Sequence, residues 1–224
     1  SLAYALLNDP ADAEEVAQLS DDIFPLIRLF ATNAANAIER ARATRARIMG
    51  ILHVLTTLRN TEETLGHFHR VGAYAATIYE TWASKQGLDK GTIITQKDIL
   101  RTAAMLHDIG KLAIPNIIRS KPGRLTEEEY AIMKQHTVKG AQLLLKYAQS
   151  DLERIAAEIA LTHHERWDGT GYPGHIDPES GLPLPDYTDA NGKPREKKGE
   201  EIPAFGRVVA IADVYDSLLS DRIY

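Results

Sequence analysis

The sequence predicts an all-α fold, a bundle of roughly six or seven helices. Apolar residues recur at helical spacing in several long segments, and no alternating pattern is long enough to form a sheet. Turn and capping signals separate these segments, among them a capping box formed by Thr126 and Glu129. Because 44% of the 224 residues are hydrophobic and 25% are charged, the chain can also bury a sizeable core.

The first long helix is predicted to begin at Asp21-Asp22, with Pro25 in its first turn, where proline is tolerated. Its apolar positions continue at helical spacing to about Leu55. We expect this helix to pair with a second copy as a coiled coil, and a core helix of the same domain is the alternative. Residues 1–60 are therefore interpreted as the end of an upstream domain and a linker helix, and 61–224 as a separate domain.

Five further helices are predicted in that second domain, over residues 61–87, 95–110, 126–147, 151–161 and 202–219. An irregular stretch after residue 113 carries a local basic group, Arg119, Lys121 and Arg124. Residues 166–174 are too rich in glycine for a helix or strand interior. Residues 175–201 are polar and contain several prolines, which predicts a long surface excursion whose charges are solvated.

Five of the eight histidines lie at ends or apolar faces of different predicted helices, each near a carboxylate: His67, His107, His136, His163 and His164. His107 adjoins Asp108 in an apolar segment, where ionisable groups are costly unless they are paired or bind a metal. Glu63 and His67 are four residues apart and share one helical face. Asp213 lies on the last, apolar helix. If these residues converge, they provide nitrogen and oxygen ligands for two or more divalent ions. His53, His69 and His175 are assigned to the surface or to loops.

Composition excludes several classes of function. A net charge of −5 argues against binding to nucleic-acid polymers, which requires a basic surface. With no cysteine there are no disulfides, thiolate metal sites or cysteine nucleophiles, and we expect a cytoplasmic location. No apolar run is long enough to span a membrane, and Ser1-Leu2-Ala3-Tyr4 does not begin a signal peptide. The chain lacks an initiator methionine and stops at Tyr224 without a terminating signal, so we expect it to be part of a longer protein.

Together these motifs resemble the HD-GYP family, the branch of metal-dependent HD-domain phosphohydrolases that degrades cyclic di-GMP. The resemblance runs from about Glu63 to Tyr224. Its motifs occur in the family's order: Glu63 with His67 and Arg70, His107-Asp108-Ile109-Gly110-Lys111, His136-Thr137 with Gly140, His163-His164-Glu165, Gly171-Tyr172-Pro173, and Asp213 to Asp216. Residues 1–47 look like the tail and exit helix of a GAF-type sensory domain.

The resemblance implies a phosphodiesterase in which metal-activated hydroxide attacks phosphorus, giving pGpG or GMP. The implied metal ligands are Glu63, His67, His107, Asp108, His136, His163, His164 and Asp213, with Asp108 as the bridge between ions. Asp108 and Lys111 are the implied catalytic residues. Lys111, Gly171, Tyr172, Pro173 and Arg222 are the implied substrate contacts. Two departures are Ile223, where the family has proline, and the length of the 175–201 excursion, which we interpret as a lid or contact surface.

The implied cofactors are two or three divalent ions, iron or manganese first and zinc or nickel as alternatives. Expected partners are a cyclic dinucleotide substrate and a second copy of the chain, which pairs through the amino-terminal helix. Two alternatives for the function stay open. One is an HD hydrolase for another nucleotide, and the other is a non-catalytic receptor for cyclic di-GMP.

Overall fold

The computed structural model describes residues 23–40, 42–44, 46, 48 and 50, and then 65–219. The chain divides into two compact units, Ser1–Ile51 and Leu52–Tyr224. The boundary predicted between residues 60 and 61 lies outside the described residues.

In the first unit, residues 23–40 are helical, as are the described residues that follow up to 50. This agrees with the helix predicted there. Large apolar side chains are exposed along it, including Phe24, Leu26, Ile27 and Phe30. None of the helices in the described part of the chain is long and apolar enough to cross a membrane.

The described residues of the second unit form seven α-helices, as expected for an all-α fold. They are α1 (Leu65–Lys85), α2 (Lys90–Ala103), α3 (Asn116–Arg119), α4 (Glu127–Lys134), α5 (His136–Lys146), α6 (Asp151–Thr162) and α7 (Ala204–Leu219). Short 3-10 turns occupy Ala104–Leu106, Ile109–Ala113, Pro185–Tyr187 and Gly199–Glu201. Within the described ranges, β-structure is limited to two isolated bridges, Ile176 with Pro183 and Thr188 with Pro194.

The core is formed where α1 packs against α2 and α7, and where α6 contacts α2, α5 and α7. Its buried members are mostly small or branched: Val71, Ala75, Tyr79, Ala83, Ile93, Leu100, Ala103, Ala104, Ala156, Ile159, Val208, Val209 and Ala212. Because alanine occupies so many of these positions, the helix backbones approach closely.

Three predicted helix boundaries were wrong. The second helix of this unit begins at Lys90, not at residue 95, because the Asp89 side chain caps it by accepting from the Thr92 amide at 3.0 Å. It ends at Ala103, not at residue 110, and His107 and Asp108 lie between two 3-10 turns. The helix predicted over 126–147 breaks at Gln135, whose amide bonds the Ile132 carbonyl three residues back. The predicted Thr126–Glu129 capping box is confirmed.

The 175–201 excursion is anchored to the bundle near its amino-terminal end. Ile176 is buried with Ala141, Ala157 and Leu161 of α5 and α6. The side-chain amide of Gln142 donates to the Glu179 carbonyl at 3.3 Å. Most of the remaining residues are exposed, as predicted for a surface excursion.

Candidate metal centre

The predicted ligands that the structure describes come from five separate segments. His67 lies on α1, His107-Asp108 between the two 3-10 turns, and His136 at the start of α5. His163 and His164 follow the end of α6, and Asp213 lies on α7. Packing of these helix ends brings all seven side chains into two adjacent groups. Each group has its ligand atoms within 4.8 Å of one another and could hold a metal ion.

The first group contains Asp108, His136, His163 and His164. Its centre is Oδ1 of Asp108, which lies 3.2 Å from Nε2 of His136 and 3.6 Å from Nε2 of His163. These three atoms are buried and make no hydrogen bond. Buried polar atoms without partners are rare in native proteins, and a bound ion is one ordinary explanation for such a group.

The second group contains His67, His107 and Asp213. Oδ1 of Asp213 lies 3.6 Å from Nε2 of His67 and 4.0 Å from Nε2 of His107. The same His107 nitrogen is 3.0 Å from Oδ2 of Asp108. The two oxygens of Asp108 therefore face different groups, which is the geometry that a bridging carboxylate needs.

The tautomers of three histidines follow from their hydrogen-bond partners. Nδ1 of His107 contacts the Ala104 carbonyl at 2.8 Å, Nδ1 of His136 the Met133 carbonyl at 2.8 Å, and Nδ1 of His163 the Ala160 carbonyl at 3.0 Å. A carbonyl oxygen only accepts, so each Nδ1 carries a proton, and each ring presents Nε2 to the centre as the atom that could ligate a metal. This is the usual arrangement of metal-ligating histidines.

Burial sets the charges in the centre. It lowers the pKa of His163 and of His164, which favours the neutral, metal-ligating form of both rings. Burial alone would raise the pKa of Asp108, but the positive charge of Lys111 and the contact with His107 hold the pKa of Asp108 well below its ordinary value. Asp108 is therefore an anion surrounded by imidazoles, a donor set that suits divalent iron, manganese or zinc.

Lys111 lies against this carboxylate. Its Nζ is 2.8 Å from Oδ2 of Asp108, one turn earlier in the chain. The turn between them packs directly on α5, since a Cβ at Gly110 would lie 1.9 Å from the His136 carbonyl oxygen. Only glycine permits this approach, which explains why the motif carries one here.

In the neighbouring basic group, Arg119 contacts the Lys111 carbonyl at 3.4 Å, and Lys121 pairs with Glu129 at 2.6 Å.

The glycine-rich turn brings Tyr172 to the edge of the centre. The Tyr172 ring stacks on the His164 ring with centroids 4.9 Å apart, and its amide donates to the His164 carbonyl at 3.2 Å. Burial raises the pKa of Tyr172, so its hydroxyl stays protonated and can donate a hydrogen bond. Gly171 and Pro173 flank it and are half-buried.

Two residues without a predicted role hold this turn. Oε1 of buried Glu165 accepts from the Gly174 amide at 2.6 Å, and Lys197 donates to the Gly174 carbonyl. Burial raises the pKa of Glu165 and lowers the pKa of Lys197, each against the charge of the other. The prediction that charges near residue 197 are all solvated is therefore wrong for Lys197. Glu165 lies 32 positions before Lys197 in the sequence, and only the fold brings the two side chains together.

Asp216 is a third residue to which the sequence interpretation assigned no role. It is fully buried, and its Oδ2 lies 2.8 Å from Nδ1 of His67. Arg70 donates from Nε to Oδ1 of the same carboxylate at 2.6 Å. Its spacing of three residues from Asp213 places the two carboxylates on one face of α7, a signal that was available in the sequence.

Two predicted site residues, Glu63 and Arg222, lie outside the described residues. Their assignments as metal ligand and substrate contact remain predictions.

The model of the HD domain family matches residues 64–218 of the sequence, a range that contains every residue of the two groups. The chain belongs to the HD domain family. HD domains bind divalent metal ions, and the donor atoms described above fit such ions.

Three curated relatives of the HD domain are informative. A cyclic di-GMP phosphodiesterase of Vibrio cholerae is 39% identical over 168 residues, covering 72% of this chain and 30% of the relative. A cyclic di-GMP phosphodiesterase of Thermotoga maritima is 40% identical over 177 residues, covering 79% and 40%. A 3'3'-cGAMP-specific phosphodiesterase of Vibrio cholerae is 37% identical over 164 residues, covering 73% and 26%. The chain thus spans less than half the length of each relative.

Proposed function

We propose that this HD domain is a metal-dependent phosphodiesterase of the HD-GYP type that hydrolyses cyclic di-GMP. The observation that carries the proposal is the set of Nε2 atoms that converge on Oδ1 of Asp108 from His136 and His163, with Nε2 of His107 at its other oxygen. In a cluster with a purely structural role, hydrogen bonds would satisfy each of these atoms. A bound cation can instead coordinate all of them at once. The relatives named as cyclic di-GMP phosphodiesterases support the choice of substrate.

In this proposal the metal ligands are those predicted from the resemblance. Asp108, His136, His163 and His164 hold one ion, and His67, His107 and Asp213 hold a second, with Asp108 between them. Glu63 extends the set to a third ion. The family resemblance places iron or manganese first and zinc or nickel as alternatives, and imidazole and carboxylate donors can bind all four ions.

The protein side chains stabilise charge and bind the substrate in the proposed reaction. Bound divalent ions supply Lewis-acid polarisation of a phosphoryl oxygen and lower the pKa of water. Asp108 places its two oxygens between the ligand groups, and the adjacent Lys111 ammonium stabilises negative charge developing on the phosphate. Tyr172, held by its stack on His164, offers a protonated hydroxyl and an aromatic face to the substrate. Gly171 and Pro173 shape the turn that carries it, and Arg222 is a further substrate contact.

Asp108→Ala tests this function. We expect the variant to lose both metal and hydrolysis, because one carboxylate serves both ligand groups. The measurement is elemental analysis of protein purified without chelators, together with chromatography of the products of cyclic di-GMP. Native metal content and full turnover in the variant would contradict the metallohydrolase proposal. Full metal without turnover in the wild-type protein would favour the receptor alternative.

A second candidate substrate is a hybrid cyclic dinucleotide, since one relative is named as specific for 3'3'-cGAMP. Comparison of kcat/KM for cyclic di-GMP and 3'3'-cGAMP under identical metal loading separates the two. A preference for cGAMP would reassign the substrate while leaving the metal centre as proposed.

A homodimer through the amino-terminal helix is proposed from the apolar residues exposed along residues 23–38. A chain that begins at residue 61 should be monomeric in light scattering, and an unchanged dimer would place the contact elsewhere. The upstream sensory domain and the cytoplasmic location remain predictions from the sequence.

A further inference from the structure

The side chain of Lys134 lies at the rim of the candidate metal centre, beyond the residues assigned above. Lys134 ends α4, two residues before His136. Its ammonium lies 5.0 Å from the ring centroid of Tyr130 and 5.7 Å from that of Tyr172. The Tyr172 ring in turn stacks on His164. The ammonium is thus one aromatic ring away from a candidate metal ligand.

Tyr130 completes this rim. Its ring lies edge-on to the Tyr172 ring with centroids 6.3 Å apart, and 47% of Tyr130 is exposed. Tyr130 and Lys134 are one helical turn apart on the same face of α4, so a lysine resting on its neighbour's ring is the simplest interpretation of the contact. That interpretation does not account for the second ring, which comes from a different part of the chain.

The charges around Lys134 distinguish it from the other lysines nearby. Lys111 pairs with Asp108 at 2.8 Å, and Lys121 pairs with Glu129 at 2.6 Å. Among the described residues, no carboxylate is paired with Lys134, whose observed neighbours are the two rings. A half-buried cation beside aromatic faces and without a carboxylate can bind an anionic group of a ligand.

We propose that Lys134 and Tyr130 form a second substrate subsite, in which Lys134 binds the phosphodiester that is not being cleaved and Tyr130 offers its face to a base. The inference rests on the proposed function, because a cyclic dinucleotide carries two phosphodiesters and only one can occupy the metal centre. The second one needs its own cation. Aromatic rings stack on any base, so this subsite selects for a dinucleotide and not for a base sequence.

The test compares substrates with one and two phosphodiesters. Lys134→Met keeps the aliphatic stem and removes the charge, Lys134→Arg keeps the charge, and Lys193→Met is the matched control on an exposed lysine. The quantity measured is the ratio of kcat/KM for cyclic di-GMP to kcat/KM for bis(p-nitrophenyl) phosphate. Because a hydrogen bond to a charged group contributes on the order of a tenfold effect, Lys134→Met should lower this ratio about tenfold. Lys134→Arg should restore most of it, and Lys193→Met should leave it unchanged.

A second readout is independent of turnover. The dissociation constant for a phosphorothioate analogue of cyclic di-GMP, measured by calorimetry, should rise about tenfold in Lys134→Met. If the wild-type protein binds the analogue and Lys134→Met binds it equally well with an unchanged substrate ratio, the subsite is overturned while the proposed function stands. If the wild-type protein hydrolyses bis(p-nitrophenyl) phosphate but neither binds the analogue nor cleaves cyclic di-GMP, the proposed function fails and the subsite with it.

Discussion

Oδ2 of Asp216 lies 2.8 Å from Nδ1 of His67, and both side chains are buried. Arg70 donates from Nε to Oδ1 of this carboxylate at 2.6 Å and from Nη2 to Oδ2 at 3.0 Å. Burial acts to raise the pKa of Asp216, but the hydrogen bonds with Arg70 and His67 keep this pKa below its ordinary value. An anionic Asp216 fixes the proton of His67 on Nδ1 and directs Nε2 towards Asp213.

Asp216→Asn should therefore weaken metal binding without removing a ligand. Loss of a carboxylate that orients a ligating histidine typically costs about tenfold to a hundredfold in metal affinity. Competition with a chelating dye measures the affinity, and Asp98→Asn is a control on an exposed carboxylate. Unchanged affinity in Asp216→Asn would show that this contact serves packing only.

Glu63→Gln tests the number of ions. The orienting position on Nδ1 of His67 is already occupied by Asp216, which favours a ligand role for Glu63 over a role as acceptor for His67. A hard carboxylate ligand there predicts that bound metal falls from about three per chain towards two, with activity reduced but not abolished. If wild-type protein fully loaded with iron or manganese never exceeds two ions per chain, the three-metal proposal fails.

Tyr172 and Lys197 form a pair for a double-mutant cycle. Tyr172→Ala should raise KM while leaving metal content intact, because the side chain contacts a ligand ring but supplies no ligand atom. Lys197→Met should also raise KM, by about tenfold, since it loosens the Gly174 carbonyl two residues after Tyr172. If Lys197 acts through Tyr172, the double variant is no worse than Tyr172→Ala alone. Strictly additive effects, or an equal rise in Lys193→Met, would contradict this positioning role.

Metal removal should destabilise the protein. The buried nitrogens of His136 and His163 and Oδ1 of Asp108 make no hydrogen bond, so a bound ion satisfies them only in the folded state. Binding at a thousandfold excess over Kd stabilises by about 4 kcal/mol, which corresponds to roughly 10 °C in the thermal midpoint. Calorimetry with and without a chelator measures the shift. The shift should vanish in Asp108→Ala, and an identical midpoint for chelated and loaded wild-type protein would argue against a metal in this centre.

The cap of α2 predicts a pH dependence of stability. Hydrogen bonds from the Thr92 side chain and amide lower the pKa of Asp89 in the folded state. A lowered folded pKa means that the contribution is complete above the unfolded pKa of about 3.9 and is lost as pH falls through the folded value. Asp89→Ala should therefore be less stable than wild type at neutral pH, with a gap that narrows as the pH falls below about 4. Urea unfolding across this range measures it, and a constant gap would contradict an ionised cap.

Local patterns in the sequence determined much of this fold. Periodic apolar residues and caps such as Thr126 act within one or two helical turns, and they correctly predicted an all-α bundle. The same holds for the candidate ligands, because a histidine beside a carboxylate at the end of an apolar helix is visible locally. Seven of these predicted ligands converge in the structure, in the two groups around Asp108 and Asp213.

Only the tertiary structure decided how these side chains are held. The break at Gln135 and the 3-10 turns around His107 lie where Gly110 packs closely on the α5 backbone. This packing is a contact between separate segments of the chain. Lys197 reads as a solvated charge in the sequence, and it is half-buried because the excursion folds back onto Gly174. Asp216 reads as one acidic residue near a helix end, and the packing of α7 against α1 makes it the partner of His67. Burial and charge pairing depend on residues far apart in the chain, so they are properties of the packed protein and not of any local stretch.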